Sequence, residues 1–559
     1  MRPRFVAALV LGCGVLGGCR NDDAYLGGTR ESYHCGSRCA VEQGAPVDAG
    51  DWFYNQETDQ GDAPEIVYPF EGAKHPNDLR RLTVHFTRGR SDFSVFRLRI
   101  EQPDSGVVYD FFTPCLSLGS DGCRYLLEGA VWDRARADFL DKPARLTVTG
   151  STAPVGFQRT SEPISLDVVS SQLKNKGFYY WSTVSSYDRS AMQSAGIYRL
   201  PFGADETQPF IMPNTATNDR QCGACHSVSR DGSTIAFTAR NDVGGPDQRS
   251  GTLVAEGTAQ PEIPLFPVAP PDTYDSSMMA LTSDGKRVLV AFEDKLALRV
   301  SSKDDPKHAA GDTIITLTSK ELGPKSGYFP EFSPNDDAVV LTLSDDPDSA
   351  IAVRKGDIAV LDYDRATDSF GELNVIVRGT EDTFHFYPTW SPDGQFIAFA
   401  SAPVENDENG MPRKSYDQQK ARLRLVRRTG GEVYELSRAM PELDKWSTYP
   451  KFAPFSAGQS GDLMFLTFNS KVNYGLILDN DARPNDRVAQ LWMSAIDVSK
   501  LPDDPSSPPI WLPFQDPGQA GHLGIWTSEV RCRPDLGANA CGFGQHCQAE
   551  TKTCVVDPK

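Results

Sequence analysis

Ser391-Pro-Asp-Gly-Gln-Phe-Ile-Ala-Phe399 decides how this chain is to be read. Proline presets one backbone angle, aspartate bonds locally to the chain, and glycine takes a left-handed angle, so the first four residues are a turn. A short apolar strand follows directly. The same unit recurs at Ser229-Arg-Asp-Gly-Ser-Thr-Ile-Ala-Phe237, Ser283-Asp-Gly-Lys-Arg-Val-Leu-Val-Ala-Phe292 and Ser333-Pro-Asn-Asp-Asp-Ala-Val-Val-Leu341. A degenerate copy runs from Ala453-Pro454 to Leu463-Met-Phe-Leu-Thr467. One such unit cannot bury its own sheet, so several must stack around an axis.

These Ser-Pro-Asp-Gly repeats, with a proline and an aromatic residue ahead of the turn, resemble the β-propellers of TolB-type proteins, a design related to WD40-like repeats. The resemblance spans about residues 173 to 529. Phe178-Tyr-Tyr-Trp181 with Ile197-Tyr-Arg-Leu200 reads as a further blade without the turn signature. Counting it gives six, the usual number for the family. Val404 to Lys420 and Asn473 to Val488 read as rim loops.

Ahead of the repeats, short alternating segments appear: Leu82-Thr-Val-His-Phe86, Val95-Phe-Arg-Leu-Arg-Ile100, Arg145-Leu-Thr-Val-Thr149 and Ile164-Ser-Leu-Asp-Val168. Alternation puts Leu82, Val84 and Phe86 on one face, the mark of a half-buried strand. Strands of this length between turn signals predict an immunoglobulin-like β-sandwich. The expected class is therefore all-β. The expected order is a lipoprotein signal over residues 1–19, a tether over 20–62, the sandwich over 63–170, the propeller over 171–529 and a Cys-rich tail over 530–559.

The amino terminus carries two arginines, an apolar run from Phe5 to Leu16, and Leu16-Gly-Gly-Cys19. That pattern is a secretory signal peptide, too short to span a bilayer. Leu-Gly-Gly-Cys resembles the lipobox of bacterial lipoproteins, which implies lipidation at Cys19; Val10-Leu-Gly-Cys13 is a second candidate with a shorter apolar core. Residue 20 is arginine, not the aspartate that holds many such proteins at the inner membrane, so the resemblance implies the outer membrane, on its periplasmic or surface face. The formal net charge of −19 over 559 residues argues against nucleic acid.

Twelve cysteines are many, and an exported chain meets an oxidising compartment. Beyond Cys13 and Cys19 they fall into even local groups: Cys35 and Cys39, Cys115 and Cys123, Cys222 and Cys225, then Cys532, Cys541, Cys547 and Cys554. Local disulfides are expected, with three connectivities open to the last four. Zinc held with His546 is the alternative for the tail.

Gln221-Cys-Gly-Ala-Cys-His226 contains Cys-x-x-Cys-His, which resembles the attachment motif of c-type cytochromes. Two thiols at this spacing each bond one haem vinyl group, and the next histidine turns to the iron. The resemblance implies haem c on Cys222 and Cys225 with His226 as its metal ligand. The plain alternative is a Cys222–Cys225 disulfide bracing a blade, with His226 merely polar. Aligning Asp231 with Asp284 and Asp393 brings Met279 and Pro388 to the position of His226. Met279 or Met278 is then the leading distal ligand, followed by His385 and His522.

No Gly-x-Ser-x-Gly elbow, phosphate loop or His-Glu-x-x-His occurs in the sequence. Asp479-Asn-Asp481 is a weak calcium candidate. The sequence therefore predicts electron transfer or redox sensing through one haem c, with an unidentified redox or envelope protein as partner. A haem-free scaffold binding a protein or envelope polymer at the propeller mouth is the competing expectation, and a haem enzyme with an open distal site a third.

Overall fold

The computed structural model describes residues 30–31, 36–53, 62–119, 121–152, 156–183, 195–212, 222–240, 250–256, 266–267, 276–292, 295–302, 304–349, 352–416, 418–457, 463–477, 488–542 and 544–557. The signal segment with Cys13 and Cys19, Cys35, and Asp479 to Asp481 lie outside these residues.

The described chain is nearly all β. Between Gly177 and Thr527 it forms six four-stranded antiparallel sheets. Their first strands are Cys222–Val228, Ser276–Leu281, Ser326–Phe332, Thr383–Trp390, Thr448–Ala457 and Ala520–Thr527, and each packs against the next around a closed ring. The last of them, Ala520–Thr527, pairs with Gly177–Thr183. The end of the ring thus completes the sheet that began it, a propeller-type arrangement with no free edge at the seam.

The repeat turn has one geometry in four sheets. In Ser391 to Phe396 the Ser391 N–H donates to the Phe396 carbonyl at 2.9 Å, and the Phe396 N–H returns to Ser391 Oγ at 2.9 Å. Gly394 stands at φ +69°. Equivalent hydroxyl acceptors are Ser229 for the Thr234 N–H at 3.0 Å, Thr282 for Arg287 at 3.0 Å and Ser333 for Ala338 at 3.1 Å. The third copy therefore begins one residue earlier than the quoted Ser283. That serine instead donates to Asp336 of the next sheet at 2.5 Å, so the turns also fasten neighbouring sheets.

Ahead of the ring lie a four-stranded sheet, in the order Glu65–Tyr68, Leu82–Thr87, Gly122–Leu127 and Leu116–Leu118, and a seven-stranded sheet centred on Val95–Gln102 and Val107–Pro114. A helix over Gly129–Asp138, not anticipated from the alternation, buries Val131, Trp132 and Ala135 against them. Ile164 to Val168 is not one strand: Ile164–Ser165 pairs with Arg145–Ser151, and Asp167–Val169 pairs in parallel with Lys74–Pro76. The chain changes sheets at Leu166.

Part of the segment read as a tether is also structured. Cys39–Val41 joins the seven-stranded sheet parallel to Val107–Pro114, and Ala49 and Phe53 are buried in a cluster with Val95 and Phe112. Its polar composition hid a few apolar residues that are enough to dock it. Cys39 is disulfide-bonded.

Leu82, Val84 and Phe86 are buried as the alternation predicts, yet His85, on the opposite face, is buried too. A loop from the sheet that begins with Thr448–Ala457 covers it. Tyr474 packs on His85 at 4.7 Å and stacks on Trp511 at 4.0 Å. A Cβ on Gly475 would lie 2.2 Å from His85 Nδ1. The Trp511 N–H donates to Tyr68 Oη at 2.9 Å. One hydrophobic cluster runs from Phe96 and Trp132 through Tyr474 into Phe452 and Trp492.

Candidate functional site

The inner strands share a defect that determines where their side chains point. The pairing register breaks between Ala224 and His226, Ser276 and Met278, Tyr328 and Glu331, Phe386 and Thr389, and Thr448 and Lys451. Residues at these bulges stand at positive φ: Cys225 at +41°, Phe329 at +53°, Tyr387 at +52° and Tyr449 at +50°, with Leu523 of the closing strand at +51°. Such backbone costs an L residue about 1 kcal/mol or more, and bulges re-aim side chains. Here the result is a plug. Met278, Phe329, Tyr387, Tyr449 and Leu523 form one buried cluster across the channel, and Cys225 packs against it.

The following residues, among them His226, Met279, Pro330, Pro388 and Pro450, line a cavity of about 150 Å³ on the turn side of the plug. Cys225 and His226 therefore face different regions: the thiol joins the plug, and the imidazole joins the cavity wall.

His226 is 3% exposed, and neither ring nitrogen has a hydrogen-bond partner. Burial pushes its imidazole down to about 3; the Tyr179 backbone opposes this without reaching hydrogen-bond geometry, and Lys451 adds to it. The ring is neutral at pH 7, with a lone pair free for a ligand. Met279 holds the equivalent place on the neighbouring strand, and the two strands are locked together by the Leu281 N–H donating to Ser227 Oγ at 3.1 Å.

The opposite wall is polar. Lys451 reaches across to an ion pair with Glu331, which also accepts from Thr389 Oγ1 at 2.7 Å and the Trp390 N–H at 3.0 Å. Arg230 lines the same cavity and donates to the Pro334 carbonyl at 2.9 Å. Glu331, Thr389 and Lys451 were not singled out from sequence. Their signal was the residue after proline in Tyr328-Phe-Pro-Glu-Phe332, Phe386-Tyr-Pro-Thr-Trp390 and Thr448-Tyr-Pro-Lys-Phe452.

The other candidates separate. Cys222 opens its strand opposite Arg240. Met278 and Met279 both line the cavity; Met278 also belongs to the plug, and Met279 holds the register position of His226. His385 is removed from the set: Nδ1 meets Ser401 Oγ at 2.7 Å, Nε2 meets the Arg378 carbonyl at 3.3 Å, and the residue does not line the cavity. His522 precedes the bulge residue of its strand and packs between Trp181 at 5.3 Å and Trp446 at 5.5 Å. Burial and then Lys471 push its imidazole down to about 4.

In the tail the bridges are Cys532–Cys547 and Cys541–Cys554, and upstream Cys115–Cys123 closes its loop. His546 pairs with Asp557 at 2.6 Å. The close approach of Cys532, Cys541 and Cys547 therefore reflects two disulfides and offers no thiolate set for zinc.

Part of a haem c donor set is present, a buried neutral imidazole without a partner and a thioether at the same level, but Cys225 faces the plug and a cavity of about 150 Å³ is too small for a haem, so the site as it stands does not accommodate the group. Buried nitrogens such as His75 Nδ1, His85 Nε2 and Trp132 Nε1 also lack a partner, but among the described residues His226 alone lacks one at two atoms.

No family model matches the chain, and no curated protein matches it. Solved structures with a likeness to it include hydrazine synthase of Kuenenia stuttgartiensis, at 13% identity over 49% of this chain and 62% of that one, TM-score 0.27. A puromycin-hydrolyzing peptidase of Mycobacterium tuberculosis is 12% identical over 80% and 56%, TM-score 0.32. A putative 6-phosphogluconolactonase of Bacteroides uniformis is 13% identical over 58% and 95%, TM-score 0.25. The chain thus spans under two thirds of the first two.

Proposed function

We propose that this chain is an exported lipoprotein whose six-bladed TolB-type propeller carries one covalent haem c for electron transfer or redox sensing. An immunoglobulin-like sandwich and the disulfide-rich tail would brace that propeller. His226 is the observation that carries the reading: an imidazole 3% exposed, neutral, with both nitrogens unpartnered beside Met279. Cys222 and Cys225 would supply the thioether bonds, His226 the proximal ligand and Met279 the distal one. When bound, the group supplies reversible one-electron chemistry. The chain's own part is to ligate, to exclude water through the buried cavity wall, and to raise the reduction potential by methionine ligation and burial.

The test is a reduced pyridine haemochrome spectrum of protein exported in a host with haem-attachment machinery. A c-type band that survives acid-acetone extraction and vanishes in Cys222→Ala/Cys225→Ala supports the reading. No band, where a control cytochrome matures, ends it. Lipid attachment at Cys19 and outer-membrane residence are part of the same proposal. Labelling with a palmitate analogue, lost in Cys19→Ser, checks the anchor.

The charged wall of Arg230, Glu331 and Lys451 favours a second reading, a haem-free scaffold that takes a protein or envelope polymer at the channel mouth. In that case Cys222→Ala/Cys225→Ala leaves partner binding intact. Likeness of fold transfers neither function.

A further inference from the structure

We propose that the cavity on the turn side of the plug binds a monocarboxylate, either a short organic acid or the carboxyl end of a peptide, between Arg230 and Lys451. The site requires neither haem nor a macromolecular partner, so it goes beyond both readings above.

Two cations reach this cavity from different sheets. Lys451 extends from Thr448–Ala457 to Glu331, and Arg230, in the turn after Cys222–Val228, extends to the Pro334 carbonyl at 2.9 Å. Each passes the sheet that lies between. Glu331 and Pro334 are three residues apart, at the end of Ser326–Phe332 and in the turn that follows it, so both positive groups converge on one edge of the cavity. Neither side chain is needed to form its turn. Arg230 stands where Pro334, Pro392 and Pro454 stand in other copies of the repeat, and Lys451 follows its strand's proline as Glu331 and Thr389 follow theirs.

The charges on the wall do not all cancel. Glu331 is fully engaged: one oxygen accepts from Thr389 Oγ1 at 2.7 Å and the Trp390 N–H at 3.0 Å, and the other pairs with Lys451. Asp336, also on the wall, pairs with Arg365 at 3.1 Å and accepts from the Ser283 N–H at 3.0 Å. Arg230 gives one N–H to the Pro334 carbonyl and forms no ion pair among the described residues. Burial pushes its guanidinium down, and Glu331 and Asp336 oppose this only from longer range. The rest of its planar fork is left for an anion, and that geometry matches a carboxylate.

The remaining wall selects what the carboxylate is attached to. Ala280, Ile525, Pro330, Pro388 and Pro450 are apolar. One uncompensated cation beside such a wall suits a single negative charge on a short apolar tail, and disfavours a phosphate dianion, whose second charge would be buried unpaired. A cavity of about 150 Å³ has room for about six heavy atoms, the size of butyrate or of one terminal residue.

The test titrates the full-length protein with sodium butyrate by isothermal calorimetry, with the fluorescence of Trp390 and Trp526 on the cavity wall as a second signal. Saturable binding at one site is expected, with none from butyramide, which has the same shape and no charge. Arg230→Gln and Lys451→Gln should each weaken butyrate about tenfold or more, the worth of one charge-assisted hydrogen bond. Arg230→Lys keeps the charge without the fork and should lose less. Glu331→Gln, which releases Lys451, should tighten binding, a change that damage to the fold would not produce. Gly-Gly-Ala, with its carboxyl free or amidated, separates the two sources. Tighter binding than butyrate by the free form alone points to a peptide end, and weaker binding points to a free acid. The site is overturned by the absence of saturable binding of either carboxylate, by butyramide or inorganic phosphate binding as well as butyrate, or by undiminished binding in Arg230→Gln.

Discussion

His226 and Met279 occupy the same register position on neighbouring inner strands, each three residues ahead of its turn hydroxyl, Ser229 or Thr282, and both line one cavity. Ser227 Oγ, accepting from the Leu281 N–H at 3.1 Å, holds the two strands at that level. An imidazole and a thioether are thus presented together by the repeat itself.

If these two residues are the axial ligands, they differ in what their loss does. Met279→Ala should leave haem covalently attached but turn the oxidised spectrum from low-spin to high-spin and lower the midpoint potential. Met278→Ala, in the plug, should leave the spin state unchanged. Electron paramagnetic resonance with redox titration checks both outcomes.

Acid should destabilise the fold through its buried histidines. Burial first pushes His226, His75 and His85 down to about 3; the next contributions are the Tyr179 backbone, which opposes this at His226, and Arg136 and Arg124, which add to it at His75 and His85. Their ordinary value is about 6.5, so the unfolded chain binds protons that the folded one refuses. Their contribution is full above about pH 6.5 and is lost as pH falls towards 3, by up to about 1.4 kcal/mol per pH unit per histidine. In guanidinium titrations of haem-free protein at pH 7 and pH 4.5, His85→Leu should show a smaller fall in stability than the parent.

Gly475 is predicted to be intolerant because of His85. It stands at φ +53°, and a Cβ there would lie 2.2 Å from His85 Nδ1. Gly475→Ala should cost about 1–3 kcal/mol, from both the backbone angle and the overlap. Only the overlap is relieved in His85→Ala/Gly475→Ala. A double-mutant cycle in thermal or chemical unfolding should therefore show positive coupling. Additive costs would mean that the loop does not press on His85.

The tail should behave as a separately stapled unit. Cys532–Cys547 and Cys541–Cys554 span 15 and 13 residues, and a loop of this size is worth about 3 kcal/mol. The tail is tied to the body by the Val556 N–H donating to Asn175 Oδ1 at 3.0 Å, by Arg531 Nε donating to the Asp231 carbonyl at 3.2 Å, and by burial of Val556 among Leu200 and Trp526. Non-reducing peptide mapping should return these two pairs. Cys541→Ser/Cys554→Ser should expose the tail to proteolysis while leaving the main unfolding transition in place.

Much of the architecture was legible because its signals are local. A Ser-x-Asp-Gly turn needs only its own hydroxyl, carboxylate and glycine, so each repeat announces itself. The Cys222-x-x-Cys225-His226 motif was equally visible. What local reading missed was contact-dependent: Thr282 replacing Ser283 as the turn acceptor, the Cys39–Val41 strand in a polar segment, and His85 buried beneath a loop nearly four hundred residues away in sequence. Glu331 and Lys451 escaped notice because an isolated charge in a strand reads as solvated until the ring brings its partner across the channel.

The sequence by itself determined an all-β chain of repeated turn-and-strand units, a Cys-x-x-Cys-His spacing, and evenly grouped cysteines. Those follow from short-range backbone preferences and covalent spacing. Only the tertiary structure decided which of the three tail connectivities forms, and that Met279 rather than His385 shares a cavity with His226. It also decided that Cys225 and His226 look in different directions. The physical reason is the bulge: a positive φ at Cys225, Phe329, Tyr387, Tyr449 and Leu523 re-aims a side chain onto the axis, and the neighbouring strands hold that angle there.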